Sequence, residues 1–468
     1  MKDYTKAALL ITALMMLAKP VVASVTATTV TAKAAMAYTY GFPLVLMGET
    51  RDGLTGPERS CTFGSDLNTF TNVFDIPDPD FKAVVRPNVD TLYTSAMLDL
   101  SDGPVMLDMP AVADRYVLMT LLDAWSNNFA GVGTQTHGTD SGHYFITGPG
   151  LQHHRIPDGY TEISSPTDLV WIIGRTEIKY DEDISAVHDI QRQYQLTPYD
   201  GLAVHQAEAT ADCVEDENKT PPIDVVKSLN GEEFFTRLSQ LMIDNPPPES
   251  ERWIEKSLAS IGVGRFAEFT PSDLSKLEKK SLDAGMKAGQ FAIDQALGLL
   301  GLNGWGPNPK TIPLGDYGHR YFIRAIVAQI GFGANKNEYA IYQNAERDSE
   351  RQRFSGENHY VFTLKGDDLP PVDAFWSLTL YGDDGFLRNN DGAAMLGTQV
   401  YALGSNTGLV ADANGDIQIH ISAVPPAGVP LSNWLPAPDD EFQLTLRFYA
   451  PHEALLENEW QAPEVIKQ

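Results

Sequence analysis

Residues 86–93, Arg-Pro-Asn-Val-Asp-Thr-Leu-Tyr, place four chemically capable side chains within one short segment. Arg86 offers a forked donor for an anion, and the Asn88 amide both donates and accepts hydrogen bonds. Asp90 is a candidate general base, and Tyr93 is a candidate general acid. The segment therefore predicts a site for a polar ligand or for acid–base chemistry. The alternative is a structural network in which Arg86 pairs with Asp90 while Asn88 shapes a turn.

A second polar cluster, residues 123–128, directly follows a strand pattern, in a position where loops often carry function. Asp123 is a second candidate base and Asn127 a candidate ligand contact, whereas Trp125 suits either a stacking wall or the core. Two further tryptophans are candidate stacking walls, Trp376 and Trp434. This combination of polar and aromatic side chains indicates a small polar or carbohydrate-like ligand.

Arg447 lies in an alternating segment, residues 442–449, in which apolar side chains occupy one face and Arg447 the other. The alternation predicts a half-buried strand. We nevertheless expect Arg447 itself to be buried, because Trp434 lies just upstream and can cover it. Its partner would be a carboxylate such as Asp90 or Asp123 across a domain junction, or it would lie at a subunit contact.

Composition excludes several classes of function. The chain has 34 Lys and Arg against 62 Asp and Glu, a net charge of -28, which opposes binding to nucleic acid or to anionic membrane surfaces. No HExxH, Walker A, GxGxxG or GxSxG pattern occurs. The histidines have no spacing diagnostic of a metal site. The sequence therefore predicts neither a metal ion nor a cofactor.

The element pattern changes along the chain in the order helix, sheet, helices, sheet. Residues 24–60 are expected to be helical, with a break or an end near Gly41 and Pro43. Residues 61–180 and 345–468 hold short β-type runs, and residues 181–344 are helical in period. The clearest runs of the first β part are residues 105–109, 116–122, 143–147 and 169–173. The order predicts a multidomain α+β protein, two antiparallel β-sandwich (jelly-roll-like) domains with a helical portion between them.

The N-terminus has the composition of a secretory signal peptide. Lys2 and Lys6 precede an apolar run, and the small residues up to Ala23 suit cleavage after residue 23. We therefore expect residues 1–23 to be removed and the protein to be periplasmic or secreted, with no membrane-spanning segment. In such a compartment Cys61 and Cys213 form either one disulfide or two independent thiols.

Several motifs resemble a known pair of protein domains. The wording and order of residues 40–43, 86–93, 122–127 and 174–176 resemble the bacterial family called domain of unknown function 1254. Residues 371–379, 433–438 and 446–451 resemble its usual C-terminal companion, domain of unknown function 1214. The resemblance implies two sandwiches with a helical portion, often in exported proteins, and it implies no reaction. Met97 departs from the aromatic residue that the family often has there.

Two kinds of function fit these residues. The first is an exported hydrolase or lyase that uses Asp90 or Asp123 as base, Tyr93 as acid and an arginine clamp. The second is a non-catalytic ligand-binding or assembly module, possible as a homo-oligomer, in which the same arginines and aromatics hold domains or subunits together. Convergence of the candidate residues on one solvent-reachable place would favour the first.

Overall fold

The computed structural model describes residues 27–81, 86–113, 115–150, 155–179, 183–199, 213–215, 219–265, 269–300, 304–390 and 399–468. Within these ranges the chain is an α+β protein with four mostly antiparallel sheets. The expected signal peptide, residues 1–23, lies outside the described residues. No helix in the described part is both long and apolar enough to cross a bilayer.

Helix α1 (Ala27–Thr55) is the centre of the helical part of the molecule. It continues through Gly41 and Pro43, so the predicted break there is wrong. Proline removes one backbone hydrogen-bond donor and so favours a break in the helix. Residues 37–48 are all buried, however, and their packing outweighs this local preference against helix. The remaining helices are α2 (Thr134–His137), α3 (Ile184–Gln191), α4 (Pro222–Ser228), α5 (Gly231–Asp244), α6 (Trp253–Ala259), α7 (Lys276–Leu300), α8 (Tyr321–Ile330) and α9 (Glu453–Leu456).

Helix α7 packs closely against α1 because glycines replace side chains at the contact. A Cβ atom at Gly285 would lie 2.5 Å from the Thr31 carbonyl oxygen and 2.4 Å from the Ala34 Cβ. A Cβ atom at Gly289 would lie 2.9 Å from the Ala35 carbonyl oxygen. The two backbones therefore approach as only small residues permit.

The N-terminal half of the chain forms two sheets. The antiparallel sheet A has the order β1 (Thr71–Asn72), β2 (Thr91–Asp99), β8 (Leu169–Glu177), β4 (Val117–Asp123), β5 (Asn128–Gly133). Sheet B has the order β7 (Thr161–Ser164), β6 (Gly142–Thr147), β3 (Val105–Met109), β9 (Gln195–Pro198). The four predicted runs are confirmed as β3, β4, β6 and β8. Strand β9 lies in a range predicted as helical, because four residues are too few to reveal a period.

The two faces of sheet A have different neighbours. Side chains such as Leu98, Met119 and Ile172 join residues of sheet B in one apolar core. The opposite face carries Met97 and Leu122, which pack into the helical core around α1. A strand with two covered faces is apolar on both, and β4 is buried at every position.

The C-terminal half forms sheets C and D. Sheet C has the order β10 (Ala340–Ala345), β16 (Phe442–Tyr449), β12 (Trp376–Gly382), β13 (Ala402–Gly404). Sheet D has the order β15 (Trp434–Pro436), β14 (Ile417–Ser422), β11 (Tyr360–Leu364), β17 (Ile466–Lys467). Alternate apolar residues of both sheets share one core. The other face of sheet C is polar and points toward one end of sheet A.

The two cysteines form a disulfide. The Cα atoms of Cys61 and Cys213 are 5.0 Å apart across a separation of 152 residues. Of the two alternatives that the sequence left open, the structure therefore has the bridge.

Candidate functional site

A cluster of arginine, tyrosine and acid side chains lies between sheet A and the polar face of sheet C, and we call it the junction cluster. Its members are Arg86, Asp90, Tyr93, Arg175, Tyr342, Ser377, Tyr381, Arg447 and Tyr449. Period-two alternation explains the arrangement, since Leu444, Leu446 and Phe448 point into the core shared with sheet D. The intervening residues of β16 must then face sheet A.

Asp90 is buried at the centre of the junction cluster. One of its carboxylate oxygens accepts hydrogen bonds from the Ser377 hydroxyl at 2.6 Å and from the Tyr449 phenol at 3.0 Å. Burial raises the pKa of Asp90, although the nearby positive charge of Arg447 and the two hydrogen bonds oppose that rise. Asp90 therefore holds a proton more firmly than an exposed aspartate does.

Arg447 is 2% exposed, which confirms its predicted burial. The half-buried strand predicted around it is wrong, because sheet A covers the polar face and every residue of β16 is buried. The expected carboxylate pair is also wrong: the guanidinium donates to the Thr379 hydroxyl at 2.7 Å and the Tyr381 phenol at 2.6 Å. Its third acceptor is the Arg86 carbonyl oxygen at 3.1 Å. All of these acceptors are neutral.

Arg175 reaches the junction cluster from sheet A, and Arg86 reaches it from the segment before sheet A. The Arg86 guanidinium donates to the Gln443 side-chain oxygen at 2.6 Å and does not pair with Asp90, contrary to the structural alternative. Asn88 does shape the turn, because its side-chain oxygen accepts from the Asp90 backbone N–H at 2.6 Å. Arg175 is 7% exposed and donates to the Asn335 side-chain oxygen at 2.9 Å.

Tyrosine side chains line the accessible side of the junction cluster. Tyr93, Tyr342 and Arg86 are half-buried, so each of them keeps part of its surface in contact with solvent. The Arg175 guanidinium carbon lies 5.6 Å from the centre of the Tyr93 ring. Burial raises the pKa of Tyr342, and the positive charges of Arg175 and Arg447 partly offset that rise. Neutral phenols beside guanidinium groups can donate protons or hydrogen bonds to a ligand.

The second predicted cluster lies at the other end of β4, away from the junction cluster. Asp123 accepts hydrogen bonds from the backbone N–H groups of Trp125 and Asn127, at 2.9 and 2.8 Å. Burial raises its pKa to about 6. The Trp125 indole donates to the carbonyl oxygens of Asn245 and Pro246, both at 3.2 Å, at the end of α5.

Arg324 anchors this second cluster to the helical core. It is fully buried and pairs with Glu251 at 3.0 Å. Its guanidinium carbon lies 5.3 Å from the Tyr40 ring centre and 5.6 Å from that of Trp125. Tyr40 donates to Glu251 at 2.7 Å. The cluster thus joins sheet A to α1, α8 and the segment after α5, although the Nε atom of Arg324 has no acceptor among the described residues.

The structure brings four of the predicted site residues together and separates the others. Arg86, Asp90, Tyr93 and Arg447 lie in the junction cluster, with Asn88 beside them. Asp123, Trp125 and Asn127 form the separate network, and two predicted stacking walls are core residues, Trp376 and Trp434. Sequence reasoning did not select Arg175, Tyr342 or Ser377. A polar residue within an otherwise apolar buried strand, such as Arg175 after Ile173, is the signal that could have found them.

Among the described residues, no three His, Cys, Asp or Glu side chains are grouped closely enough to hold a metal ion. The junction cluster itself contains one carboxylate, Asp90, and three guanidinium groups. That donor set suits hydrogen bonding to a polar or anionic molecule more than metal binding.

Comparison with known proteins identifies the family. Residues 67–198 match the family model described as protein of unknown function (DUF1254). Residues 339–453 match the family model described as protein of unknown function (DUF1214). The chain therefore belongs to the family of proteins that carry these two domains, as the motifs predicted. Sheets A and B lie almost wholly within the first match, and sheet C largely within the second.

Two solved structures are similar to this chain. The VPA0106 protein from Vibrio parahaemolyticus has 22% sequence identity and a TM-score of 0.71, over 94% of this chain and 100% of that chain. An uncharacterized protein from Burkholderia cenocepacia has 11% identity and a TM-score of 0.44, over 93% of this chain and 88% of that chain. The first likeness establishes a shared fold. No curated protein matches the chain.

Proposed function

We propose that the protein is an exported hydrolase or lyase that acts on a small polar or carbohydrate-like substrate at the junction cluster. The observation that carries the proposal is convergence: the arginine, carboxyl and phenol of residues 86–93 meet Arg447, which lies 361 residues after Arg86, where two sheets face each other. Four of these side chains had been selected from the sequence for their chemistry alone. The two sheet pairs would serve as sandwiches that hold the cluster rigid.

The half-buried Tyr93 phenol would be the acid that reaches the substrate, as the sequence suggested. Asp90 lies behind Tyr449 and Ser377, so it would act through them by holding their hydroxyl groups in position. Arg447 and Arg86 would stabilise negative charge that develops on the substrate, since guanidinium donors are strongest where water is excluded.

Export is supported by the composition of residues 1–23 and by the Cys61–Cys213 disulfide. Disulfides form and persist in oxidising compartments such as the periplasm. We propose a periplasmic or secreted location on this basis. N-terminal sequencing of the exported protein is expected to begin at Ser24, and material that still begins at Met1 would contradict the proposal.

The test of the activity is substrate profiling of the purified protein with small esters, glycosides and uronides. Tyr93→Phe removes one hydroxyl at the cluster and is expected to lower the turnover found in the wild type about 100-fold or more. Tyr160→Phe is the matched control, because Tyr160 lies beside sheet B and bonds to Asp108. Equal turnover by wild type and Tyr93→Phe would contradict the proposed site, and ligand binding without any turnover would favour the non-catalytic module.

A further inference from the structure

We infer that the molecule bound at the junction cluster carries a carboxylate group, and this inference rests on the proposed function. Three guanidinium groups lie there, those of Arg86, Arg175 and Arg447. Within the part of the chain that the structure describes, none of the three has a carboxylate oxygen within 4.0 Å. Buried charge is costly without a partner of opposite charge.

Other buried arginines of this chain do have such partners. Arg59 pairs with Asp66 at 2.5 Å, and Arg324 pairs with Glu251 at 3.0 Å. The sequence is rich in acidic residues, with 62 Asp and Glu, so a carboxylate partner is common elsewhere in the chain. Three arginines with neutral acceptors alone are therefore a distinctive feature of the junction cluster.

Hydrogen bonding within the cluster is also incomplete. The Nε atoms of Arg86 and Arg447 are buried and have no acceptor among the described residues. A buried donor without an acceptor destabilises the folded protein, and an incoming oxyanion that accepts from it would remove that cost. The planar guanidinium fork matches the two oxygens of a carboxylate.

The nearest acids are engaged elsewhere. Asp90 acts electrostatically on Arg447, yet its hydrogen bonds come from Ser377 and Tyr449. Glu346 acts electrostatically on Arg86 and lies 3.8 Å from Arg353. Three guanidinium groups against these two acids leave positive charge in excess, which suits a monocarboxylate.

The test measures the thermal midpoint and the Kd for matched pairs of small molecules. The pairs are glucuronate with glucose, galacturonate with galactose, and lactate with 1,2-propanediol, with inorganic phosphate as a separate probe. At least one carboxylate is expected to bind saturably and raise the midpoint, while its neutral counterpart does not. Arg86→Gln and Arg447→Lys are expected to weaken that binding at least about tenfold, since each loses part of the guanidinium fork.

Arg192→Gln is the control, because Arg192 is exposed just after α3, pairs with the exposed Asp189 and lies over the Phe74 ring, and none of these residues belongs to the junction cluster. Equal binding of a carboxylate and its neutral counterpart, binding of phosphate alone, or unchanged binding by both cluster variants would overturn the inference. Arg86→Gln keeps the test valid if Arg447→Lys does not fold, since Arg86 is half-buried. If Tyr93→Phe loses turnover while Arg86→Gln keeps it, the carboxylate inference and the charge-stabilising role of Arg86 both fail, and the proposed site with Tyr93 as its acid stands.

Discussion

At the scale of single residues, the two buried aspartates differ in their surroundings. Asp90 accepts hydroxyl hydrogen bonds from Ser377 and Tyr449, in a cluster whose Tyr93 and Tyr342 side chains are half-buried. Asp123 accepts hydrogen bonds mainly from backbone N–H groups of its own turn. The hydroxyl groups around Asp90 can pass a proton to a ligand, whereas the hydrogen bonds to Asp123 hold its own turn together.

The raised pKa of Asp123 predicts a pH dependence of stability. The folded state keeps Asp123 protonated up to about pH 6, while the unfolded chain releases that proton near the ordinary value of 3.8. The folded state thus binds more protons between these values, so the contribution of Asp123 is full below about pH 4 and is lost as the pH rises toward 6. Two pKa units correspond to roughly 3 kcal/mol.

Chemical denaturation of wild type and Asp123→Asn at pH 4 and pH 7 measures this effect. Relative to wild type, the free energy of unfolding of Asp123→Asn is expected to be a few kcal/mol higher at pH 7 than at pH 4, because asparagine does not titrate. Asp158→Asn, at an exposed aspartate, serves as the control. A difference that stays constant across this range would refute the prediction.

At the scale of elements, α1 holds the helical part together by close contacts with α5 and α7. A Cβ atom at Gly41 would meet Leu238 of α5, and one at Gly285 would meet the α1 backbone. These contacts explain why α1 remains helical through Pro43. The junction cluster depends on these helices indirectly. Residues of α1 and α8 pack against the face of sheet A that carries Ile173 and Arg175.

Gly285→Ala is expected to destabilise the protein by about 1–3 kcal/mol, because the new methyl group meets a backbone oxygen that cannot rotate away. Gly53→Ala makes the same change within α1, where the nearest atom lies 4.0 Å from the new Cβ. That control is expected to be neutral or stabilising by up to about 1 kcal/mol, since alanine favours helix. Similar losses in both variants would show that helix propensity, and not packing, decides the outcome.

For the molecule as a whole, the sequence patterns predicted the helices and strands better than they predicted the contacts between them. Runs such as residues 105–109 are confirmed because alternation within one strand is local. The burial of both faces of β16 could not be predicted, since residues 86–90, which contact its polar face, lie 357 to 361 residues earlier in the chain. For the same reason the sequence predicted Arg447 to pair with a carboxylate such as Asp90 or Asp123 or to lie at a subunit contact, and the fold gives it neutral acceptors within the chain.

The disulfide ties two segments that the cores already hold. Reduction, Cys61→Ser and Cys213→Ser are each expected to cost about 2–5 kcal/mol and to leave the fold intact, because a chain of 468 residues buries large cores without staples. The double variant should match either single variant, since both remove the same bond. Additive losses, or loss of the far-UV circular dichroism of the folded protein, would contradict this.

If the reaction takes place at the junction cluster and not at the second cluster, two matched variants must differ in turnover. Asp90→Asn and Asp123→Asn make the same change at two buried aspartates, and turnover of the profiled substrate is measured where circular dichroism shows both variants folded. We expect Asp90→Asn to lose about 100-fold or more of the turnover, because Tyr449 and Ser377 lose their carboxyl partner, and Asp123→Asn to keep it. Turnover retained by Asp90→Asn and lost by Asp123→Asn would contradict the account.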